Sequence, residues 1–277
     1  MSIGTTSKTA QVTFQTSRQA TRQEWIDACD FHPMKNEEVL GRVYDEIEKN
    51  LKAALRPVLL LDLDSTLYHV EARSHQILKE WLDDPESRKF GPLREKIAEL
   101  RPDHIGYSLQ DTFKKMGLSL EDELTKEVLG SCQKFWRRRF FTNEYLAYDL
   151  AYPGTPEFVQ KAHALGAEIA YLTGRDEPGM GKGTYARLAS DHFPIHEPRT
   201  RLILKKNFEL DDLEHKSKAA EALREIGNLV ASFENEPPNL IALSDLFPEA
   251  MHVFVDTVYS ERPALPKSGL YRITGFQ

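Results

Sequence analysis

The chain has 277 residues, of which 40% are hydrophobic and 29% are charged, and its formal net charge is −7. These proportions are ordinary for a globular protein, and the length suits one large domain or a core domain with an insertion. No apolar run approaches the roughly 20 residues that cross a bilayer, which argues against a membrane protein, and the net negative charge argues against a broad nucleic-acid-binding surface.

The N-terminal segment precedes the first clear helical pattern, and we expect residues 1–35 to form a flexible arm. Residues 1–22 are rich in Ser, Thr and Gln and lack the apolar core of a secretory signal. No acidic residue occurs before Glu24, so organelle targeting by this arm stays open. Cys29 and Cys132 stand in unrelated contexts, which favours a reducing compartment such as the cytoplasm over a disulfide framework.

The first elements are a helix and a strand. Apolar residues recur at helical spacing over residues 36–56, and Pro57 ends that helix. The apolar run 58–61 follows at once. Such a run is typical of a strand buried on both faces of a parallel sheet.

No good strand occurs between Val70 and Tyr152. Helical patterns fill this stretch instead, at residues 72–82, 93–100, 107–116 and 120–140. We therefore expect residues 71–149 to be a separate α-helical domain, inserted into a core of residues 36–70 and 150–277. The arginine run at residues 137–139 is either a basic wall of that domain or a solvated helix face.

After the insertion, strands alternate with helices. Strands are predicted over residues 168–172, 202–204, 229–233 and 253–255, with an edge strand at 270–274; helices are predicted over 156–164, 184–192, 216–226 and 238–246. This alternation predicts an α/β fold with a doubly wound parallel sheet.

Asp62 and Asp64 follow directly after the strand at 58–61. In open parallel sheets ligands bind beyond the carboxyl ends of the strands, and alternation along an extended chain aims both carboxylates to one side. Two close carboxylates repel each other unless a cation or proton lies between them, and Mg²⁺ takes oxygen ligands and pairs with substrate phosphate. The alternative is that these aspartates only end the strand and cap the next turn.

The segment 59–67, Leu-Leu-Leu-Asp-Leu-Asp-Ser-Thr-Leu, resembles the nucleophile motif of the haloacid dehalogenase superfamily. The resemblance extends over residues 58–255 through four short motifs in the right order. It implies a Rossmann-like core with an α-helical cap inserted after the first motif, and a phosphatase-type hydrolase. It makes Asp62 the nucleophile and Asp64 the general acid and base, and it places Ser65 and Thr66 in the phosphate-binding site.

The second motif, residues 169–175, places Thr173 and Gly174 at a strand end, where a hydroxyl and backbone N–H groups hold phosphate oxygens. The third is a lysine at the start of a helix, which the resemblance assigns to phosphate binding and to offsetting the carboxylates. Lys216 is the first choice. The competitors are Lys205, Lys206 and Lys218.

The fourth motif, residues 229–237, departs from the superfamily pattern. The family usually ends this strand with aspartates that hold Mg²⁺, whereas this sequence has Glu234, Asn235 and Glu236. Glu is a competent magnesium ligand with a longer reach, so Glu234 is the first choice and Glu236 the second. Acidic residues here also suit the N-terminus of the next helix, and both roles can hold together.

The resemblance thus implies a Mg²⁺-dependent phosphohydrolase that cleaves a small phosphate monoester through an aspartyl-phosphate. Asp62, the backbone carbonyl of Asp64 and Glu234 would hold the metal, and Thr173 and Lys216 would stabilise the phosphoryl oxygens. Two alternatives stay open: a phosphomutase or phosphotransferase of the same superfamily, and a catalytically weak binding or regulatory protein. The sequence predicts neither the substrate's identity nor the oligomeric state.

Overall fold

The computed structural model describes residues 22–258, 260 and 262–277. Most of the predicted flexible arm therefore lies outside the described residues. Residues 22–35 of the arm are described and include a helix and a strand, so the prediction of a flexible arm is wrong for them. Helix α1 (Arg22–Ala28) buries Trp25 and Ile26 in an apolar cluster with Phe254, and strand β1 (Asp30–Phe31) pairs with the last strand of the sheet.

The remaining strands are β2 (Pro57–Leu61), β3 (Tyr68–His69), β4 (Leu150–Ala151), β5 (Glu168–Asp176), β6 (Thr200–Lys205), β7 (Asn228–Glu234), β8 (Met251–Val255) and β9 (Ser268–Ile273). Seven of them form one sheet in the order β1-β9-β8-β7-β2-β5-β6, and every neighbouring pair in it is parallel. The predicted α/β fold class is confirmed. Helices cover both faces of this sheet, as parallel sheets require.

The remaining α-helices are α2 (Asn36–Lys52), α3 (Glu71–Trp81), α4 (Gly91–Ala98), α5 (Leu109–Lys115), α6 (Glu123–Phe140), α7 (Thr155–Leu165), α8 (Glu177–Ser190), α9 (Asp212–Ala222) and α10 (Pro237–Leu246). Among the described residues, no helix is both long and apolar enough to cross a membrane.

Strand β2 shows why a continuous apolar run is needed at the centre of the sheet. Leu59 and Leu61 pack into the cluster that contains α2 and α7 side chains, whereas Val58 and Leu60 pack into the cluster with α9 and α10 side chains. Both faces are therefore buried. The strand order also reverses at β2, because β5 and β6 follow on one side and β7 to β9 on the other. Ligands of open α/β sheets bind at such a switch point.

The helices α3 to α6 leave the core after β3 and return at β4. These two short strands pair antiparallel, with Tyr68 opposite Ala151, so both ends of the insertion lie side by side. The insertion has an apolar cluster of its own, which includes Trp81, Phe113 and Val128 and contains no side chain of the sheet. The four helices predicted here are confirmed, with ends that differ by up to three residues.

Two predicted boundaries differ from the structure near the site. Strand β5 continues to Asp176, so Thr173 and Gly174 belong to the strand. Helix α9 begins at Asp212, because the side chain of Asp211 caps it by accepting from the Glu214 N–H. Lys216 therefore lies inside the helix, one turn beyond its first residue.

Substituting Phe113 tests whether the insertion is an unfolding unit of its own. Phe113 is fully buried in the insertion's cluster, so Phe113→Ala should cost about 3–5 kcal/mol of local stability. Amide hydrogen exchange should accelerate in α3 to α6 and much less in the sheet. The matched control is Phe158→Ala, whose ring packs in the core cluster, and it should show the opposite pattern. Equal acceleration everywhere in both variants would mean that the chain unfolds as one unit.

Stability should fall in mild acid because of His252 on β8. Burial lowers the pKa of this imidazole, which also contacts Ser232 and the Phe247 carbonyl. In the unfolded chain a histidine has a pKa of about 6.5, so below that pH the unfolded state binds a proton more readily than the folded state does. The free energy of unfolding therefore falls as the pH falls below about 6.5, by at most about 1.4 kcal/mol per pH unit for one group.

The measurement is the free energy of unfolding at pH 7.5 and pH 5.5, for wild type, His252→Asn and His192→Asn. His192 is exposed, with a positive φ of 64° that Asn tolerates, which makes it the control. The loss between the two pH values should shrink only in His252→Asn. An unchanged loss in that variant would exclude His252 as its source.

Candidate active site

The site lies where the carboxyl ends of β2, β5 and β7 meet. β2 pairs with both neighbours in parallel, so residues that end or follow these strands share one edge of the sheet. Asp62 follows β2, and its N–H donates to the Phe233 carbonyl of β7 at 3.1 Å. Glu234 is the last residue of β7. The predicted nucleophile and the first-choice metal ligand are thus on adjacent strands.

Lys216 bridges these two carboxylates. Its Nζ donates to Asp62 Oδ1 at 2.6 Å and to Glu234 Oε2 at 2.8 Å. All three residues are at most 5% exposed. A buried charge is tolerated when it is paired and hydrogen-bonded, and here one ammonium serves two carboxylates.

The competing lysines make other contacts. Lys205 donates to the carbonyls of Phe208 and Leu210 in the following loop. Lys218 is exposed and pairs with Glu214, and Lys206 is exposed. Of the four lysines considered from the sequence, Lys216 is the one that contacts Asp62 in the described part of the chain.

The bridge places two acidic groups around one ammonium, which makes it costly for both carboxyl groups to be ionised at once. Burial raises the pKa of Asp62, and the charges of Asp64 and Asp212 add to this against the opposing effect of Lys216. Burial and the charge of Asp62 raise the pKa of Glu234 to about 8. Burial alone would lower the pKa of Lys216, but the nearby carboxylates outweigh it and raise that pKa. A further cation would relieve this repulsion.

Oxygen donors with excess negative charge suit a hard cation such as Mg²⁺. Among residues 22–258, 260 and 262–277, no group of three or more His, Cys, Asp and Glu side chains is arranged as a metal site by itself. Asp62 and Glu234 supply two carboxylates to such a site. Asn239 in the first turn of α10 is buried, and both its amide atoms lack a partner within the described residues.

Glu236, the second-choice metal ligand, is turned away from this pair. Its carboxylate accepts from the N–H and the hydroxyl of Ser260 and lies 3.5 Å from Arg262. It also stands at the N-cap of α10, ahead of Pro237. This placement suits the helix-terminus role that the sequence left open.

Asp64 lies in a different electrostatic setting. Its carboxylate accepts from Arg175 at 2.6 and 3.0 Å and from Arg73 at 3.1 Å. Burial alone would raise its pKa, but the two guanidinium charges outweigh burial and hold the pKa of Asp64 well below its usual range. This arrangement favours the ionised form of Asp64, whose side chain also keeps 34% exposure and lines the cavity described below.

Asp149 completes this cluster, which we call the arginine clamp: Asp64, Arg73, Asp149 and Arg175. Asp149 and Arg73 are fully buried and form a two-bond pair at 2.6 and 2.8 Å, and Arg175 also donates to Asp149 at 2.8 Å. Arg73 stands in the first turn of the insertion, and Asp149 lies at its exit. The clamp therefore ties both ends of the insertion to Asp64.

Sequence reasoning missed three members of the clamp and Asp212. Arg175 follows Thr173 and Gly174 directly, so its place in the second motif could have identified it as a site residue. Arg73 and Asp149 are 76 residues apart, and nothing in the sequence pairs them. Asp212 lies one helical turn before Lys216, and its side chain approaches Gly174 closely, since a Cβ built on Gly174 would lie 2.1 Å from Asp212 Oδ1.

The predicted phosphate-binding residues divide into two groups. Ser65 and Gly174 line the cavity, as do Asp62 and Lys216. Thr66 and Thr173 are fully buried and bonded within the protein. Thr66 donates to Asn235 Oδ1 at 3.2 Å, and Thr173 Oγ1 accepts from the Arg175 N–H at 3.3 Å. Ser65 has a φ of 60°, a left-handed conformation that turns the chain sharply after Asp64.

The cavity has a volume of about 860 Å³ and lies between this edge of the sheet and the insertion. Its inner end, at the edge of the sheet, contains Asp62, Asp64 and Lys216. Its outer wall contains aromatic side chains of the insertion, among them Trp136, Phe140 and Phe141.

No family model and no curated protein sequence matches this chain. Solved structures do match it. A structure from Clostridium difficile named “Putative Phosphatase” has a TM-score of 0.51 at 16% identity, over 80% of this chain and 95% of that one. This chain has the haloacid dehalogenase-like fold. The resemblance predicted from the four motifs is confirmed at the level of the fold.

Two further matches are more distant. A “Putative haloacid dehalogenase-like hydrolase” from Bacteroides fragilis has a TM-score of 0.42 at 13% identity, over 78% of this chain and 97% of that one. A “predicted phosphoglycolate phosphatase” from Haemophilus somnus has a TM-score of 0.45 at 12% identity, over 79% and 94% of the two chains. With TM-scores below 0.5, neither adds to the inference of the fold.

Breaking the arginine clamp should destabilise this haloacid dehalogenase-like fold. Arg73→Met removes a guanidinium from buried Asp149 and leaves that carboxylate with fewer partners. Because removing one partner of a buried pair strands the other charge, we expect a loss of about 3–5 kcal/mol in chemical denaturation. The control is Arg101→Met, which breaks an exposed pair with Asp103 in the same insertion and should change little. Similar small losses in both variants would mean that the clamp contributes no net stability.

Proposed function

We propose that the chain is a phosphatase-type hydrolase of the haloacid dehalogenase superfamily, which transfers the phosphoryl group of a small phosphate monoester through Asp62 to water. The observation that carries this proposal is the position of Asp62. It follows the central strand at the switch point of the sheet, is bridged by Lys216 to Glu234, and lines a large cavity.

Asp62 is the proposed nucleophile. Lys216 donates a hydrogen bond to Oδ1 of Asp62, and no described residue donates one to Oδ2. The free oxygen attacks phosphorus in line, the bond to the leaving oxygen breaks, and an aspartyl-phosphate forms. The ammonium of Lys216 then lies beside the transferred group and stabilises its oxygens.

Mg²⁺ is the proposed cofactor, held by Asp62, Glu234 and the backbone carbonyl of Asp64. When bound, it would neutralise charge on the phosphoryl oxygens and on the two carboxylates. Glu234 is preferred over Glu236 because Ser260 and Arg262 already occupy the Glu236 carboxylate.

Asp64 is the proposed general acid and base, and the arginine clamp favours one of these two roles. Its ionised carboxylate is ready to accept a proton from the water that attacks the aspartyl-phosphate. Donation of a proton to the leaving oxygen requires that Asp64 first leave Arg73 and Arg175 and take up a proton from solvent. Because Arg73 belongs to the insertion, movement of the insertion would release that contact.

The phosphate-binding residues take two kinds of role in this proposal. Ser65, Gly174 and Lys216 line the cavity and contact the phosphoryl group directly. Thr66 fixes the loop through Asn235. Thr173 supports the strand end, and its hydroxyl keeps a proton that it can donate.

The proposed division is a core of residues 36–70 and 150–277 and a cap of residues 71–149. The separate apolar cluster of the insertion and the cavity between insertion and sheet support it. The cap would close over the substrate and exclude water. A cytoplasmic location belongs to the same proposal.

The test is release of inorganic phosphate from a panel of monoesters with Mg²⁺ or EDTA. Wild type should release phosphate only with the metal, and Asp62→Asn should lose at least about a thousandfold in kcat because the amide is a poor nucleophile. Asp103→Asn makes the same change on an exposed residue and should retain activity.

Three other outcomes would overturn the proposal in distinct ways. Near-normal activity in the Asp62→Asn variant would exclude Asp62 as the nucleophile. Transfer of the phosphoryl group to an added alcohol or sugar without inorganic phosphate would favour a phosphomutase or phosphotransferase. Binding of phosphate without turnover on any ester would favour a binding or regulatory protein, in which the clamp keeps Asp64 from acting.

A further inference from the structure

The cavity is much larger than a phosphoryl group needs. Its volume of about 860 Å³ falls in the range of pockets that enclose a whole small-molecule ligand. The phosphoryl group would occupy only the inner end, beside Asp62 and Lys216. The rest of the space therefore has to receive the leaving group of the substrate.

An aromatic wall faces that space, and we define it as Trp136, Phe140, Phe141 and Phe208, all of which line the cavity. The rings of Trp136 and Phe140 are stacked, with 4.2 Å between their centroids. The rings of Phe141 and Phe208 pack edge to face, with 4.9 Å between their centroids. Phe208 lies in the loop after β6, whereas the other three rings belong to the end of α6. The wall thus continues from the insertion to the core.

Three of these rings belong to no apolar core. Phe140, Phe141 and Phe208 are absent from the buried clusters of the described residues and from the side chains packed against them. Phe208 is 40% exposed, and the other two are half-buried. Large aromatic side chains left partly uncovered inside a cavity mark a ligand-binding surface.

Several polar side chains of the outer cavity are already bonded within the protein. Ser74 accepts from the Trp136 indole, Ser108 caps α5, and Arg262 contacts Ser260 and Glu236. A polyol leaving group such as a sugar would lose its water hydrogen bonds here and regain few. Gln110, Gln133 and the exposed Arg137 also line the cavity, and no hydrogen bond joins their side chains to the described residues. These groups leave room for a few polar substituents on the leaving group, not for a ring of hydroxyls.

We infer that the substrate is a phosphate monoester whose leaving group contains a planar aromatic ring, which packs against the aromatic wall. This inference rests on the proposed function, because the ring is placed by a phosphoryl group held at Asp62 and Lys216. Aromatic rings gain contact energy from each other beyond the area they bury, so an aromatic leaving group should be preferred over a saturated one of equal shape.

The experiment separates ring recognition from turnover. Calorimetry would measure binding of benzylphosphonate, cyclohexylmethylphosphonate and methylphosphonate to the full chain with Mg²⁺; their carbon–phosphorus bonds are not hydrolysed. We expect benzylphosphonate to bind about two- to tenfold more tightly than its cyclohexyl counterpart, and methylphosphonate to bind most weakly. Benzyl and cyclohexylmethyl phosphate carry the same two rings one atom further from phosphorus and release similar primary alcohols, so kcat/KM should also favour the aromatic ester.

The variants Phe141→Leu and Phe208→Leu keep an apolar side chain and remove the ring. Each should bring the ratio of the two phosphonate affinities towards one. The matched control is Phe135→Leu, because Phe135 is half-buried on the same helix but does not line the cavity. It should leave the ratio unchanged. Thermal melting of each variant would show that it is folded.

Equal binding of the two ring phosphonates in wild type, or tighter binding of methylphosphonate, would overturn the inference. So would a ratio that changes as much in Phe135→Leu as in the two wall variants. If the aromatic preference holds but benzyl phosphate releases no inorganic phosphate, the ligand class stands and the proposed hydrolysis fails. If glycerol phosphate is hydrolysed faster than benzyl phosphate, the hydrolysis stands and the aromatic substrate class fails.

Discussion

One buried ammonium sets the conditions for the site. Lys216 lies between Asp62 and Glu234, and all three side chains are removed from solvent. Two carboxylates this close would repel each other strongly in a low-dielectric interior, so the lysine is required for both to be buried. The arrangement depends on the parallel pairing of β2 with β7 and on the packing of α9 against the sheet. When both carboxyl groups are ionised, they carry one more charge than the lysine neutralises, and a bound cation would balance that charge.

The two aspartates of the first motif have opposite environments although only one residue separates them. Asp62 is buried beside other carboxylates, and its pKa is raised. Asp64 faces Arg73 and Arg175, and its pKa is lowered. Environments that separate the pKa values of neighbouring acids are a common basis for dividing chemical roles between them. Here the division is built from different parts of the chain, because the Asp62 partners come from the core and one Asp64 partner comes from the insertion.

The insertion acts on the site in two ways. It supplies Arg73 to the arginine clamp, and it supplies most of the aromatic wall across the cavity. Both contributions come from residues near its junctions with the core, since Arg73 follows β3 closely and Phe140 and Phe141 end α6 shortly before β4. The interior of the insertion instead packs on itself through residues such as Phe113. A change in how the insertion sits would therefore alter the arginine clamp and the aromatic wall together.

The sequence by itself determined the parallel α/β class, the helical insertion and the order of the four motifs, because hydrophobic periodicity and local motifs are properties of contiguous residues. It also singled out Asp62, Lys216 and Glu234, although the start of α9 was misplaced because the Asp211 cap was not recognised. Only the tertiary structure decided that Glu236 turns to Ser260, that Lys216 contacts Asp62 and that Arg73 meets Asp149. These contacts join residues from 24 to 154 positions apart, and no local pattern encodes such pairings. Strand order and helix packing bring them together, and that is why the electrostatics of the site became visible only in the folded chain.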